Sequence, residues 1–193
     1  MDESVRHAMA KWPDVPALHG WLSLDETGRW LLKGEPITHP GLVAFINRNY
    51  DGDEAGRWFF QNGPQRGYVR LEYTPWVLHV DSAGALRAHT GQQVESVSGC
   101  WIDEQGNMLL LTEIGVGLVD SDALPLVADW LRDARDGPID AEDAGQALAA
   151  VQQGQAGELR LEYTDACVPV EFIHRSEVPR RFGFVADPAS TQD

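Results

Sequence analysis

The sequence predicts an α+β protein built from two tandem, degenerate β-β-α-β-β repeats with antiparallel sheets, preceded by a short N-terminal helix. Two observations lead to this prediction. Strand-like runs joined by tight turns alternate with short amphipathic helices. Two segments of the chain also recur in the same order, which is the signature of an internal repeat. The length of 193 residues suits two small domains or one large one.

Two pairs of similar segments carry the prediction of a duplication. Residues 24–32 align with residues 102–110, and both segments have Asp-Glu at their second and third positions and Gly at their fifth. The sequence Arg-Leu-Glu-Tyr-Thr occurs at 70–74 and again at 160–164. Because the second pair is further apart than the first, we expect an insertion in repeat two.

Each repeat shows the same order of elements. In repeat one, a hairpin at 21–33 is followed by a helix with Pro40 in its first turn. Strand regions at 57–61 and 67–80 complete the repeat, and Pro75 places a bulge, a bend or a sheet edge in the second of them.

Repeat two follows the same plan, with an additional helix at 141–152 inside the insertion. The predicted boundaries are 1–18 for the N-terminal helix and lead-in, 19–93 for repeat one, 94–185 for repeat two with its insertion at about 135–157, and 186–193 for a loose tail.

The composition excludes several classes of function. The formal net charge of −15 repels nucleic-acid phosphates and anionic lipid headgroups, so neither nucleic acid nor membrane is an expected partner. No apolar run is long enough to span a bilayer. Cys100 and Cys167 form no CxxC pair, and we interpret them as reduced core residues of a cytoplasmic protein.

The polar face of the repeated strand provides the first candidate site. Arg70 and Arg160 could each bind a carboxylate or a phosphate, with Glu72 and Glu162 orienting them. If the repeats are related by pseudo-symmetry, the two faces could line one cleft between them, which is a favoured place for a small-molecule site. The ordinary explanation for the same pattern is a solvated Arg–Glu pair on a sheet face.

Trp76 and His79 are the second candidate pair. The matching positions of repeat two carry neither an aromatic ring nor an imidazole. A single functional site should break the symmetry of a duplication, so we include both residues among the candidate ligand-binding residues. A core Trp and a surface His would explain them equally simply.

Catalytic, metal and nucleotide motifs give no firm prediction. Residues 51–56 resemble the start of a calcium loop, but Ala55 and Asn62 stand where two ligands should be. The histidines lack the spacing of a zinc site, and Gly115-Val116-Gly117 lacks the third glycine of a dinucleotide loop. We therefore predict no cofactor and no metal.

Several motifs give the chain a family resemblance. They are Gly20-Trp21, Gly28-Arg29-Trp30, Gly34-Glu35-Pro36-Ile37, Gly56-Arg57-Trp58-Phe59 and Arg70-Leu71-Glu72-Tyr73-Thr74-Pro75-Trp76. In these the chain resembles uncharacterised bacterial domain-of-unknown-function families, one of which has two similar α+β units joined by a strand. The resemblance covers about residues 18–175. It implies a bacterial intracellular protein with a ligand-sensing or regulatory role, and these families have no established catalytic residues to carry over to this chain.

Three hypotheses about function follow. The leading one is a non-enzymatic module that binds a small anionic ligand or a protein partner in a cleft between the repeats. The second is an enzyme of unknown class that uses Glu72, Glu162 or His79 as acid or base. The third is an oligomeric interaction module, such as a homodimer, in which exposed Trp side chains form a self-interface.

Overall fold

The structure is a computed structural model, and it describes residues 3–11, 17–133, 135, 137–155 and 159–188. The described chain is mostly β and divides into two compact units. The first unit comprises residues 1–75, 89–91 and 179–193, and the second unit comprises residues 76–88 and 92–178. The strand Trp76–Val80, which the sequence places in repeat one, belongs to the sheet of the second unit.

The first unit contains one six-stranded sheet and one helix that packs against it. Its elements are the N-terminal helix α1 (Glu3–Lys11), the strands β1 (Leu18–Leu24), β2 (Trp30–Leu32) and β3 (Glu35–Pro36), the helix α2 (Pro40–Arg48), and the strands β4 (Tyr50–Gly52), β5 (Trp58–Asn62) and β6 (Gln65–Leu71). The strand order is β3-β2-β1-β6-β5-β4. All neighbours in this sheet are antiparallel except β1 and β6, which are parallel.

The second unit contains an eight-stranded sheet. Its elements are β7 (Trp76–Val80), β8 (Leu86–Ala88), β9 (Val97–Ile102), β10 (Met108–Thr112), β11 (Gly115–Val119), α3 (Leu124–Ala128), β12 (Leu131–Arg132), α4 (Ala141–Gln152), β13 (Arg160–Tyr163) and β14 (Ala166–Phe172), followed by a 3-10 turn at Arg175–Glu177. The last helix, α5 (Val178–Phe182), begins at the final residue of this unit and otherwise belongs to the first unit. The strand order is β12-β13-β14-β9-β10-β11-β7-β8.

The predicted fold class is wrong in two respects. Both sheets are mixed rather than antiparallel, because β1 pairs with β6, β9 with β14, and β7 with β11 in parallel. The first unit also has three strands before α2 and three after it, and in the second unit β9 to β11 precede α3 and β12 to β14 follow it, where the sequence predicted two and two. The missed strands are short, and a parallel pairing between distant strands leaves no local signal in the alternation of side chains.

The six strands of the first unit have a matching set in the second. Within the larger sheet, the order β11-β10-β9-β14-β13-β12 repeats the order β3-β2-β1-β6-β5-β4, again with a parallel central pair. The aligned segments 24–32 and 102–110 occupy equivalent hairpins. The second aligned pair does not, because Arg70 lies in β6 whereas Arg160 lies in β13, the counterpart of β5. That part of the predicted alignment is therefore wrong.

Aspartate-anchored hairpins recur along the chain. Asp25, Asp53, Asp81 and Asp103 each accept hydrogen bonds from the backbone N–H groups two and four residues later. A glycine with positive φ follows each of these aspartates three residues later, as in the Asp25 turn, where Gly28 has a φ of 79°. The side-chain carboxylate accepts hydrogen bonds from two backbone N–H groups of its own loop, and these local bonds stabilise the turn. The repeated Asp-x-x-Gly pattern is therefore a turn signal.

An aromatic cluster forms the core of the first unit. The Trp30 ring packs edge-on against Tyr50 and His89, with ring centroids 4.9 and 5.2 Å apart. The indole Nε1 of Trp30 donates to Asn47 of α2 at 2.7 Å, which ties the helix to the sheet. Because such rings bury large apolar areas, this cluster is a main source of stability for the unit.

The segment 183–188 belongs to the first unit and binds it through backbone hydrogen bonds. The Leu71 N–H donates to the Ala186 carbonyl at 2.8 Å, and the Val185 N–H donates to the Gly56 carbonyl at 2.8 Å. Gly56 has a φ of 75°, and a Cβ there would lie 2.3 Å from the Gly183 carbonyl oxygen. Position 56 therefore requires glycine.

The predicted helix at 141–152 is confirmed as α4, and Asp140 caps it by accepting from the Asp143 N–H at 2.9 Å. Residues 189–193 of the predicted tail, residues 1, 2 and 12–16 of the N-terminal helix and lead-in, and residues 136, 156 and 157 of the insertion lie outside the described residues. Within the described part of the chain, no helix combines the length and apolar character needed to cross a bilayer.

Candidate functional site

A pocket of about 140 Å³ lies between α2 and the sheet of the first unit. We call it the apolar pocket. Its walls come from β1, β2, β5, β6 and α2, and nearly all of its exposed lining is carbon. The apolar side chains that line it include Leu18, Trp21, Leu22, Leu32, Leu42 and Phe60.

Most of the exposed large apolar side chains of the described chain line the apolar pocket. Five such side chains are exposed, and four of them, Leu18, Trp21, Leu32 and Leu42, line this pocket with relative exposures between 37% and 49%. The fifth, Leu126, lies in the second unit. Single exposed apolar residues need no explanation, but a clustered set indicates a binding surface.

A bulge in β1 lies beside the apolar pocket. The register of β1 against β6 shifts between Leu18 and Leu22, and Gly20 at the centre of this bulge has a φ of 73°. The bulge breaks the strand alternation and leaves Trp21 half-exposed at the rim. Lys33, in the turn after β2, donates its N–H to the Trp21 carbonyl at 2.7 Å and fixes the backbone there.

A second, polar pocket of about 600 Å³ adjoins the apolar pocket. We call it the polar pocket, and Trp21 and Leu22 line both. Its charged lining residues are Lys33, Arg70, Glu72 and Asp187. The Lys33 ammonium lies 4.1 Å from the centre of the Trp21 ring, a cation–π distance that places the charge at the boundary between the pockets.

The structure brings only some of the predicted site residues together. Arg70 and Glu72 both line the polar pocket of the first unit. Arg160 and Glu162 lie in the second unit and bind neighbouring strands. The Arg160 guanidinium donates to the Cys167 carbonyl at 2.7 Å and to its Sγ at 3.2 Å, and Glu162 accepts from Arg132 at 2.6 Å.

Trp76 and His79 both lie in β7 of the second unit. Trp76 is buried, and its indole N–H donates to the Ile114 carbonyl at 2.7 Å, which is a structural contact. His79 Nδ1 lies 3.1 Å from the Asp120 carboxylate. In the described chain, no group of three or more His, Cys, Asp or Glu residues is arranged to hold a metal ion.

The segment with calcium-loop character is one of the aspartate-anchored hairpins. The Asp53 carboxylate accepts from the Arg57 guanidinium, the backbone N–H groups of Ala55 and Arg57, and the Tyr68 hydroxyl. Burial opposes ionisation of Asp53, but these donors outweigh it and hold its pKa below the ordinary value. The carboxylate therefore acts as the anchor of a turn.

Sequence reasoning missed the apolar pocket. One signal could have indicated it: Leu18, Leu22 and Leu24 keep the strand alternation, whereas Trp21 departs from it beside Gly20. A large apolar residue out of phase next to a glycine indicates a bulge that turns a side chain toward solvent.

Comparison with known proteins places the chain in a family and shows its fold. Residues 1–189 match the family model DUF2944, described as "Protein of unknown function (DUF2946)", and the chain belongs to this family. The predicted resemblance to a domain-of-unknown-function family is thus confirmed. A search of curated proteins found no match.

Two solved structures are similar to the chain. A DUF1285 family protein from Silicibacter pomeroyi DSS-3 has 15% identity and a TM-score of 0.55, and the match covers 86% of this chain and 87% of that one. A DUF1285 family protein from Shewanella baltica OS155 has 13% identity and a TM-score of 0.37, with 53% and 85% covered. At this level of identity, the first similarity shows the fold alone.

Proposed function

We propose that this member of a family of unknown function is a non-enzymatic binding module whose first unit holds a small, largely apolar ligand in the apolar pocket. The observation that carries the proposal is the clustering of four exposed apolar side chains, Leu18, Trp21, Leu32 and Leu42, around one cavity. Water in contact with such a surface is released on binding, which gains about 25 cal/mol per Å² of apolar area.

The size of the apolar pocket limits the ligand. A volume of about 140 Å³ is close to that of an engineered apolar protein cavity that binds benzene. The pocket therefore fits a benzene ring or a chain of about six carbon atoms, and a nucleotide or a large cofactor would not fit inside it.

The matched leucines of α2 and α3 provide the test. Leu42 and Leu126 are both exposed and each is the third residue of its helix, but only Leu42 lines the apolar pocket. We expect 1-hexanol to bind the wild type, as measured by ligand-detected NMR. Leu42→Gln should weaken binding about tenfold, equivalent to about 1.4 kcal/mol, because it places an amide in the apolar wall.

The Leu126→Gln variant is the control and should bind 1-hexanol as the wild type does. Absence of binding to the wild type, or equal weakening by both substitutions, would overturn the proposal. If the same exposed side chains instead form a homodimer interface, light scattering will show a dimer that Leu42→Gln dissociates. The catalytic alternative with Glu72, Glu162 or His79 remains a prediction, and a hydrolase screen with Glu72→Gln tests it.

We also infer that the two units are products of a tandem duplication. The matching strand orders and the equivalent hairpins at Asp25 and Asp103 support this. A cytoplasmic location is part of the same proposal, because Cys100 and Cys167 are both free and cytoplasmic thiols stay reduced. Bacterial origin stays a prediction from the sequence motifs.

A further inference from the structure

We infer that the ligand of the apolar pocket carries a carboxylate, which Lys33 and Arg70 bind in the adjoining polar pocket. This inference rests on the proposed function, since it specifies the chemical class of the same ligand. The ligand would be a short-chain or aromatic monocarboxylate whose apolar body lies under α2 and whose charged group lies beside β1.

The two pockets share a wall, which allows one molecule to occupy both. Trp21 and Leu22 line the apolar pocket and the polar pocket alike. They lie directly after the bulge at Gly20, where β1 departs from its register with β6. Lys33 lies over the Trp21 ring, so a carboxylate near Lys33 places its attached carbon chain next to the apolar pocket.

The cations of the polar pocket suit a carboxylate. Ser23 and Arg70 are directly paired across β1 and β6, and the Arg70 side chain is exposed to the pocket. A guanidinium can bind a carboxylate through two parallel hydrogen bonds, and the Lys33 ammonium adds a second positive charge. The pocket also contains the acidic residues Glu72 and Asp187, so the ligand carboxylate is expected at the Lys33 and Arg70 side of it.

The second unit lacks this arrangement at the equivalent positions. Where the first unit pairs Ser23 with Arg70, the second pairs Trp101 with Glu171. The Trp101 indole N–H donates to the Glu171 carboxylate at 2.8 Å, and the Trp101 side chain is buried. The equivalent position therefore holds a bulky ring and an acid, and the inference assigns carboxylate binding to the first unit alone.

The experiment compares three six-carbon ligands that differ only in their end group. Hexanoate, 1-hexanol and hexylamine are titrated into the full chain at pH 7 and low ionic strength, and their affinities are measured by ligand-detected NMR. We expect hexanoate to bind about tenfold tighter than 1-hexanol, and hexylamine to bind more weakly than either. Because the charged groups are partly exposed, 1 M salt should reduce the hexanoate preference to about twofold or less.

A double variant tests the two cations. In Lys33→Gln with Arg70→Gln, the ratio of hexanoate to 1-hexanol affinity should fall to about one. Arg48→Gln is the matched control: it removes a positive charge from the same unit, but Arg48 lines neither pocket. The control should keep the wild-type ratio, and circular dichroism of each variant verifies that it is folded.

The possible results separate the two proposals. If 1-hexanol binds and hexanoate binds no better, the inference about the carboxylate is wrong and the proposed function stands. If no six-carbon ligand binds, the proposed function is wrong and the inference fails with it. Tightest binding by hexylamine, or a hexanoate preference that persists in the folded double variant, also overturns the inference.

Discussion

The two units share the order of six strands but differ in how completely β2 and its counterpart β10 are covered. Leu32 of the first unit and Leu110 of the second occupy equivalent positions, since each pairs with the matching residue of the neighbouring strand, Leu22 or Cys100. Leu32 is 46% exposed and Leu110 is fully buried. The same topology therefore produces an open apolar surface in one unit and a closed core in the other.

The second unit also has an insertion that the first unit lacks. Helix α4 contacts β9 and β14, the central parallel pair of the second sheet, and buries Ala144 and Val151. The first unit has only five residues between β4 and β5, where the second unit has α4 between β12 and β13. The second sheet therefore carries a helix that has no counterpart between β4 and β5 of the first unit.

The largest expected effect comes from truncating the matched leucines. Leu110→Ala should cost about 3 kcal/mol of unfolding free energy, because it removes a fully buried side chain and leaves a cavity. Leu32→Ala should cost less than about 1 kcal/mol, because much of the side chain already contacts water. Urea denaturation of both variants measures the difference, and equal costs would contradict the comparison.

A smaller effect is expected at the equivalent hairpins. Burial opposes ionisation of Asp25, but hydrogen bonds from Arg29 and Thr27 outweigh it, so its pKa lies below the ordinary value of 3.8. A carboxylate with a lowered pKa stabilises the fold above that value, and the contribution disappears as the pH falls through the folded-state pKa.

Asp25→Asn should therefore cost about 1.5 kcal/mol at pH 7, and its deficit relative to the wild type should shrink progressively below about pH 4. Urea denaturation between pH 7 and pH 3 checks the trend. A deficit that stays constant over this range would show that the charge of Asp25 contributes nothing to stability.

The smallest expected effect comes from substituting the two arginines of the repeated Arg-Leu-Glu-Tyr-Thr sequence, Arg70 and Arg160. The two substitutions should differ in their effects on stability and on ligand binding. Arg160→Gln should cost about 0.5–1 kcal/mol of stability, because it removes the hydrogen bonds to Cys167. It should leave hexanoate binding unchanged. Arg70→Gln should leave stability within about 0.5 kcal/mol of the wild type and weaken hexanoate binding. If both variants changed stability and hexanoate affinity by the same amounts, the result would contradict this distinction and favour a shared role for the two arginines.

The sequence predicted the features that depend on neighbouring residues. The hairpin at Asp25 and the helix at 141–152 follow from local turn and capping chemistry, and the structure contains both. Parallel pairing of β1 with β6 joins residues far apart in the chain, so no local pattern reports it. Arg70 and Arg160 looked equivalent by sequence identity, and only the strand order shows that they occupy different strands.

The candidate site was predicted in part. Arg70 and Glu72 line a pocket, as a polar strand face suggested. Trp21, Leu32 and Leu42 come from two strands and a helix, and their convergence depends on the bulge at Gly20 and on the packing of α2. Sequence reasoning finds individual apolar residues readily, but their common exposure is a property of the assembled fold.

The first unit is formed from residues 1–75, 89–91 and 179–193, and along the chain the whole second unit lies between the first and the last of these stretches. On the ribosome, Gly56 and Leu71 emerge long before their hydrogen-bonding partners Val185 and Ala186. At about 5–20 residues per second, this interval lasts on the order of ten seconds. During this interval the Leu71 N–H and the Gly56 carbonyl lack these partners. Translation therefore imposes an order in which the unit begun first is completed last.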